Sequence, residues 1–332
     1  MATLVIDEQG ANISFRENRL VITAASDSLN WSIPKMNIER VLIVGKATMT
    51  QSALDFFFTE SIPVSFMSTS GRFKGFLCGE EGKNVLVRMK QYECFNDLTY
   101  KLGISKAIVR QKVNNLRYFL TKHNRYHKNP LIEHVCERMK NLLVNLNNAN
   151  TTDEVRGIEG ACAAAYFEAF GSIFEEKKFQ FHKRTRRPPL DPVNAMLSLG
   201  YTLILSEIIS AVNASGIDVY AGFLHSLDYG RPSLACDIQE EFRFIIDELV
   251  VRLVNLGQIK PEHFEYLDNG EVHLNEQARE IFFRSYERKI RQGNSYNGKN
   301  TSYRRIVQLQ IQHLAKCFFE REIYQPFQRQ AG

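Results

Sequence analysis

Four side chains of this chain have the types and spacing to hold a divalent metal ion. His225 lies in Gly222-Phe223-Leu224-His225-Ser226, ahead of the turn-forming run Asp228-Tyr229-Gly230-Arg231-Pro232-Ser233. A helix is expected from about Leu234, carrying Asp237 and Glu240 three residues apart on one face. Glu241 is rotated off that face and is expected to pair with surface groups. A loop imidazole beside two helical carboxylates suits Mn²⁺, or Mg²⁺ with water filling the shell, better than zinc. The fourth group is Glu159, which opens Glu159-Gly160-Ala161-Cys162-Ala163-Ala164-Ala165-Tyr166. On a helix, Tyr166 stands two turns beyond Glu159 on the same face, and the small residues between them allow close helix approach. Each group also has a plain structural reading. Glu159 is a favourable acid for the first turns of a helix. His225 could be a core histidine, and Asp237 and Glu240 a solvated helix start.

Charge adds a second line. The 332 residues carry 42 Lys+Arg against 37 Asp+Glu, a net of only +5. That sum hides a segregation. Residues 101–140 carry a net of +8, 177–187 a net of +6 and 284–305 a net of +6, which leaves −15 on the remainder. A chain divided this way can offer a polyanion a basic surface and keep acids elsewhere for a metal. Arg184, Arg186 and Arg187 end the middle segment, just before Pro188-Pro189-Leu190-Asp191-Pro192. Prolines fix an extended approach to the next helix, and arginines on such a turn are placed to hold phosphates. Arg231 is a further candidate for that task.

Several classes fall away. Gly45-Lys46-Ala47-Thr48 follows an apolar strand but lacks the upstream glycine and adjacent Ser/Thr of a phosphate loop, and no G-x-G-x-x-G occurs. The six cysteines form no C-x-x-C pair and fit reduced, buried thiols in a cytosolic protein. The N-terminus lacks a basic start and apolar run, so no signal peptide is expected. The most apolar window, Tyr201 to Val212, is broken by Glu207 and reads as too short for a bilayer. A helix-turn-helix competes: Leu98 to Ser105 has an apolar–Gly103–Ile104–Ser105 turn, followed by a helix bearing Lys106, Arg110 and Lys112.

The elements that must position these groups divide in two. Up to about residue 87, short β-branched and aromatic runs recur, at Thr3–Ile6, Asn12–Phe15, Leu20–Ala24, Leu29–Ile33, Arg40–Val44, Val64–Met67 and Phe73–Leu77. Gly and Asn/Asp turn signals separate many of them, Gly71 suggests a hairpin, and one helix is expected near Thr50–Thr59. The reading is a small sandwich or rolled sheet. Beyond it the helical period takes over, from Ile104, Ile108, Val113, Leu116 and Leu120 onward. Helices are expected at 131–147, 153–174, 191–213, 237–255, 274–292 and 302–321, with Asp153 and Asp191 as caps. Gly293–Asn300 reads as a mobile loop. The fold class is therefore α+β: an N-terminal β-strand domain over 1–87 and a larger all-helical domain over 88–332.

Taken together, four segments resemble the CRISPR-associated adaptation integrases, the first-numbered Cas family. They are Glu159 to Tyr166; Arg187-Pro188-Pro189-Leu190-Asp191-Pro192-Val193-Asn194; His225 with Gly230 through Asp237, Glu240 and Arg243; and Tyr324-Gln325-Pro326-Phe327. The resemblance spans nearly the whole chain. Cys236 and Phe244 depart from the family pattern, where an aliphatic residue and a proline are usual. The resemblance implies a β domain that forms a homodimer and a helical catalytic domain that binds Mg²⁺ or Mn²⁺ through Glu159, His225 and Glu240, with Asp237 ranked fourth. It implies a metal-dependent endonuclease and integrase that joins short foreign DNA to a CRISPR array by transesterification, with a small second Cas protein, in the prokaryotic cytoplasm. Tyr166 would contact substrate or a metal-bound water, and Arg187 and Arg231 the flanking phosphates. Two alternatives remain: a repair or branched-DNA nuclease with the same site, and a helix-turn-helix DNA-binding regulator.

Overall fold

The computed structural model describes residues 2–24, 30–77, 79, 84–175 and 179–329. Leu29, Cys78, and Lys177 and Lys178 of the middle basic segment lie outside the described residues. The chain divides into two compact units, Met1–Lys83 and Asn84–Gly332.

In the first unit, β5 (Ile38–Val44) is buried at almost every position, so its Val-Leu-Ile-Val run needs no polar alternation. It pairs in parallel with β1 (Ala2–Ile6) and β7 (Val64–Met67), and β8 (Phe73–Leu77) adds antiparallel to β7. A second sheet has the order β4 (Asn30–Pro34), β3 (Arg19–Thr23), β2 (Ala11–Arg16), β6 (Ala47–Met49). Gly45, with φ +92°, turns β5 into β6, the short strand that occupies the rejected phosphate-loop sequence. Helix α1 (Gln51–Thr59) is capped by Thr50, whose side chain accepts from Ala53 N. Its Phe56 stacks on Phe15 at 4.1 Å between centroids and joins a core with Ile13, Leu20, Val41 and Ile43.

The second unit holds α2 (Val85–Asn96), α3 (Leu98–His127), α4 (Pro130–Asn148), α5 (Thr152–Phe170), α6 (Pro192–Ala214), α7 (Ser233–Asn255), α8 (Glu276–Ile290) and α9 (Tyr303–Glu320). It is not purely helical. Strands β9 (Phe264–Tyr266) and β10 (Val272–Leu274) form one antiparallel pair. The stretch expected to be a loop forms another, β11 (Gly293–Tyr296) with β12 (Lys299–Ser302).

Three further expectations change. Helix α3 runs through Gly103 without a break, so the helix-turn-helix reading is overturned. A Cβ on Gly103 would sit 2.7 Å from Ile323 Cδ1, the far end of a half-exposed side chain of the C-terminal segment. Helix α6 spans 23 residues and, by hydropathy, is long and apolar enough to cross a membrane, contrary to the shorter window expected. Its apolar window is 72% buried inside the protein, which accounts for the composition. Its start is capped as expected by Asp191, which accepts from Asn194 N at 2.8 Å. On α5 the cap is Thr151 and Asp153 lies in the first turn. Helix α7 is the hub of the unit, packing on α3, α6 and α8.

Candidate active site

Helix α7 begins beneath the loop that carries His225. Gly222 lets that loop pass over it, since a Cβ there would meet the Ser233 carbonyl carbon at 2.6 Å. Asp237, fully buried on α7, ties the loop down. Its Oδ2 accepts from Phe223 N at 2.5 Å and Leu224 N at 3.0 Å. Its Oδ1 accepts from His225 N at 2.9 Å and faces His225 Nδ1 at 2.7 Å. With Nδ1 donating to Asp237, the lone pair lies on Nε2, which is the tautomer a metal ligand needs. Both Asp237 oxygens are engaged in holding the loop, so the structure does not present this residue as an open fourth ligand.

One turn along α7, Glu240 is 5% exposed and receives three cationic or potentially cationic groups. Arg243 Nη1 donates to Oε1 at 3.0 Å. His225 Nε2 lies 4.0 Å from the same oxygen. The Lys112 ammonium, reaching from α3, pairs with Oε2 and also with Glu159 Oε1 on α5. Burial alone pushes the Glu240 carboxyl up, but Arg243, Lys112 and His225 outweigh it and hold the group well below the usual carboxylate range. Sequence reasoning singled out Glu159, His225 and Glu240; of these, Glu240 lies 4.0 Å from His225 and shares Lys112 with Glu159. It missed Lys112 and Arg243. Arg243 had a local signal, three residues after Glu240. Lys112 had none, lying on another helix and counted there as part of a basic face.

Other candidates lie elsewhere. Tyr166 is 1% exposed, and its hydroxyl donates to Asp247 Oδ2 at 2.8 Å, so it does not face the site or substrate. Asp247 also accepts from Tyr201 at 2.5 Å. Burial pushes its carboxyl up to about 6 against those hydrogen bonds and Arg243 and Arg184. Arg184 is spent internally, donating to Asn194 Oδ1 at 2.7 Å and Ser198 Oγ at 3.0 Å. Arg186 and Arg187 are exposed. Arg231 pairs with Asp228 at 3.0 Å on a partly exposed loop. Of the small residues after Glu159, Cys162 and Ala165 are buried, but Gly160 and Ala164 are exposed and nothing lies within 4 Å of a Cβ built on Gly160. Close packing therefore involves one face of α5 only.

Glu241 is not a surface residue. It is fully buried, accepting from Tyr324 Oη at 2.6 Å and from Phe327 N. Burial pushes its carboxyl up to about 8 in spite of those bonds. The Tyr324–Phe327 segment is thereby fastened beside the site, with Phe327 stacked on Phe242 at 5.7 Å.

The donor set can be compared with what a divalent ion needs. Among the described residues, no three His, Cys, Asp or Glu side chains stand close enough to hold an ion as they are. The reason is the Lys112 ammonium between Glu159 and Glu240. One imidazole nitrogen and two carboxylates are nevertheless a fitting set for Mg²⁺ or Mn²⁺. Glu240 Oε2 is buried, and the Lys112 ammonium is the group that faces it.

The sequence pattern of the family described as CRISPR associated protein Cas1 matches residues 4–288. The chain belongs to that family. It is 33% identical over 298 residues to CRISPR-associated endonuclease Cas1 3 of Thermus thermophilus, covering 89% of this chain and 87% of that protein. Among solved structures, a Cas1 protein from Thermotoga maritima superimposes with a TM-score of 0.84 at 24% identity, covering 97% of this chain and 98% of that one. A casposase bound to integration product gives 0.86 at 24% identity, covering 99% and 95%. A chain of a Cas6-RT-Cas1–Cas2 complex gives 0.83 at 25% identity, covering 99% of this chain and 36% of that longer one. The Cas1 fold thus accounts for the β unit followed by helices that the composition implied.

Proposed function

We propose that this Cas1-family chain is a metal-dependent DNA endonuclease and integrase of CRISPR adaptation. The observation that carries the reading is that Glu159 and Glu240 share the Lys112 ammonium while His225 Nε2, its imidazole oriented by Asp237, lies 4.0 Å from Glu240. Its relatives are named endonucleases, and a neighbour in fold is a casposase bound to integration product, which supports strand-transfer chemistry. In that reaction a 3′-hydroxyl oxygen attacks a phosphorus, a new P–O bond forms, and the bond to the old 3′ oxygen breaks. His225 Nε2, Glu240 and Glu159 would hold Mg²⁺ or Mn²⁺. When bound, the ion supplies polarisation of the scissile phosphate and stabilises charge on the attacking and leaving oxygens. Asp237 keeps the His225 loop and tautomer in place, and Arg243 holds Glu240 from behind. Arg186, Arg187 and Arg231 offer guanidiniums to flanking phosphates of double-stranded DNA.

The assembly follows from the same family. One solved neighbour is part of a complex with Cas2, which supports a small Cas2 partner here. A homodimer through the β unit is supported by edge strands β4 and β8, which leave Trp31 and Phe76 exposed. The cytoplasm of a prokaryote is the proposed location, and the five described cysteines are free thiols, as a reducing compartment would keep them.

A strand-transfer assay with Mn²⁺ tests the reading. Glu159→Gln, His225→Ala and Glu240→Gln should each abolish joining and cleavage while the far-UV spectrum stays unchanged. Full joining by the folded Glu240→Gln protein removes that residue from the site. A CRISPR array beside the gene separates the integrase from a repair nuclease with the same centre.

A further inference from the structure

Lys112 stands where a metal ion would have to go. Its side chain is 5% exposed, it projects from α3, and its ammonium pairs at once with Glu159 of α5 and Glu240 of α7. Around it are two carboxylates and, 4.0 Å from Glu240, the Nε2 of His225. Two carboxylates on different helices repel one another, and burial of Glu240 makes that costly without a counter-charge. The lysine supplies the counter-charge and cross-links three helices. A divalent ion makes the same demand on the same oxygens. An ammonium left in contact with them would face the ion as a like charge in a poorly solvated place. The four-carbon stem of lysine is flexible, and Glu159, whose side chain is 22% exposed, marks the open side toward which it can swing.

Resting on the metal reading above, we infer that Lys112 is the resident cation of the metal-free site and exchanges with the divalent ion. It is a positioning residue: it keeps Glu159 and Glu240 gathered until the ion arrives, and its displacement weakens the ion's net binding. The site then discriminates against monovalent or weakly held cations, because only an ion that outbids the tethered ammonium enters.

The test is a Mn²⁺ titration of the full-length, metal-free protein, with unbound Mn²⁺ read by its EPR signal. The proteins are wild type, Lys112→Met, Lys112→Gln and Glu159→Gln. Lys112→Met keeps the stem and removes the charge; Lys112→Gln serves if the first variant does not fold. The lysine variants should bind Mn²⁺ about tenfold more tightly than wild type, ~1.4 kcal/mol. Without metal they should melt below wild type, and Mn²⁺ should raise their melting temperature by more than it raises that of wild type. Equal or weaker Mn²⁺ binding by both lysine variants overturns the exchange. If wild type binds Mn²⁺ and Glu159→Gln does not, the metal reading survives that result. If neither wild type nor the lysine variants bind Mn²⁺, the metal reading falls and the exchange with it.

Discussion

Asp237→Asn separates two roles for an acid next to a metal site. Asp237 is fully buried and takes four donors, two on each oxygen. Asparagine keeps the shape but has one acceptor oxygen. If its amide nitrogen replaces Oδ2, the N–H groups of Phe223 and Leu224 lose their partner. If it replaces Oδ1, the His225 N–H does, and the imidazole must change tautomer to accept from the amide. At about 1–3 kcal/mol per unsatisfied buried group, the loss is at least about 1 kcal/mol and reaches on the order of 4 kcal/mol where both loop N–H groups are orphaned. A carboxylate whose oxygens were left open for an ion would lose no such donors, and its neutralisation would strand no buried N–H group. The assay is urea denaturation of the metal-free protein, followed by far-UV circular dichroism for the helical unit. The chain's single tryptophan, Trp31, sits on β4 of the other unit, so its fluorescence is an internal control that should not shift. A loss below about 1 kcal/mol in the helical transition refutes the anchoring role.

Three other outcomes follow from the same contacts. Asp247 carries a carboxyl raised from 3.8 to about 6, so the folded state retains its proton longer than the unfolded chain. That contribution to stability is complete below about pH 4 and is lost as pH rises through 6; relative to wild type, Asp247→Asn should gain up to about 3 kcal/mol between pH 4 and 7. A pH-independent difference in urea stability would sink this. Gly103→Ala should leave stability unchanged or raise it by up to about 1 kcal/mol, because the half-exposed Ile323 side chain can move aside and alanine favours the unbroken α3; a large loss in thermal melts would restore the case for a turn there. Arg304 pairs with Glu207 at 2.9 Å and with Glu287 at 2.9 Å, so Arg304→Met breaks a buried ion pair and should cost about 3–5 kcal/mol by denaturation, and a neutral result would refute a net contribution from that pair.

How far the sequence led can be traced to particular signals. Val64–Met67 and Phe73–Leu77 match the observed strands residue for residue, because Gly71 supplies the turn between them. Helix α6 was legible from its Asp191-Pro192 start. Helix α2 was not, because its apolar residues fall on exposed positions (Val85, Leu86, Met89, Tyr92) as well as buried ones (Val87, Cys94), so no single face stands out. The β11–β12 hairpin was hidden by its polar composition. Backbone pairing needs no apolar side chains, and the signal available was Asn297-Gly298, with φ 48° and 74° as a two-residue hairpin turn requires. In the site, local spacing left Glu159, His225 and Glu240 with plain structural readings and the family resemblance singled them out, since Glu159 and Glu240 sit inside two different helices, far apart in sequence. Helical spacing misplaced Tyr166. Seven residues along α5 does put it on Glu159's side, but a large aromatic gains more by burial, and Asp247 supplies its hydroxyl with a partner.

The charge segregation, +20 on three segments against −15 elsewhere, acquires a different meaning once partners are known. Much of the basic excess is not surface. Lys112 is buried between two acids, and Arg184 is bound up with Asn194. In the third segment Lys289 meets Glu248 at 2.7 Å, and Arg304 bridges Glu207 and Glu287. These cations hold helices together and cannot also neutralise phosphates without exposing their acids. Among the described residues, the basic side chains of these segments that face solvent without an acidic partner are fewer: Arg110, Lys122, Arg125 and Lys128 on and just after α3, Lys183, Arg186 and Arg187 before α6, and Arg288, Lys299 and Arg305 in the third segment. The electrostatic footprint of a DNA duplex is therefore smaller than the sequence sum suggests. The slope of log affinity against log salt, about 0.9 per phosphate neutralised, counts the cations that truly reach the backbone. If the pairing seen here persists in the complex, that slope reflects the exposed set and stays unchanged when Arg304 is replaced.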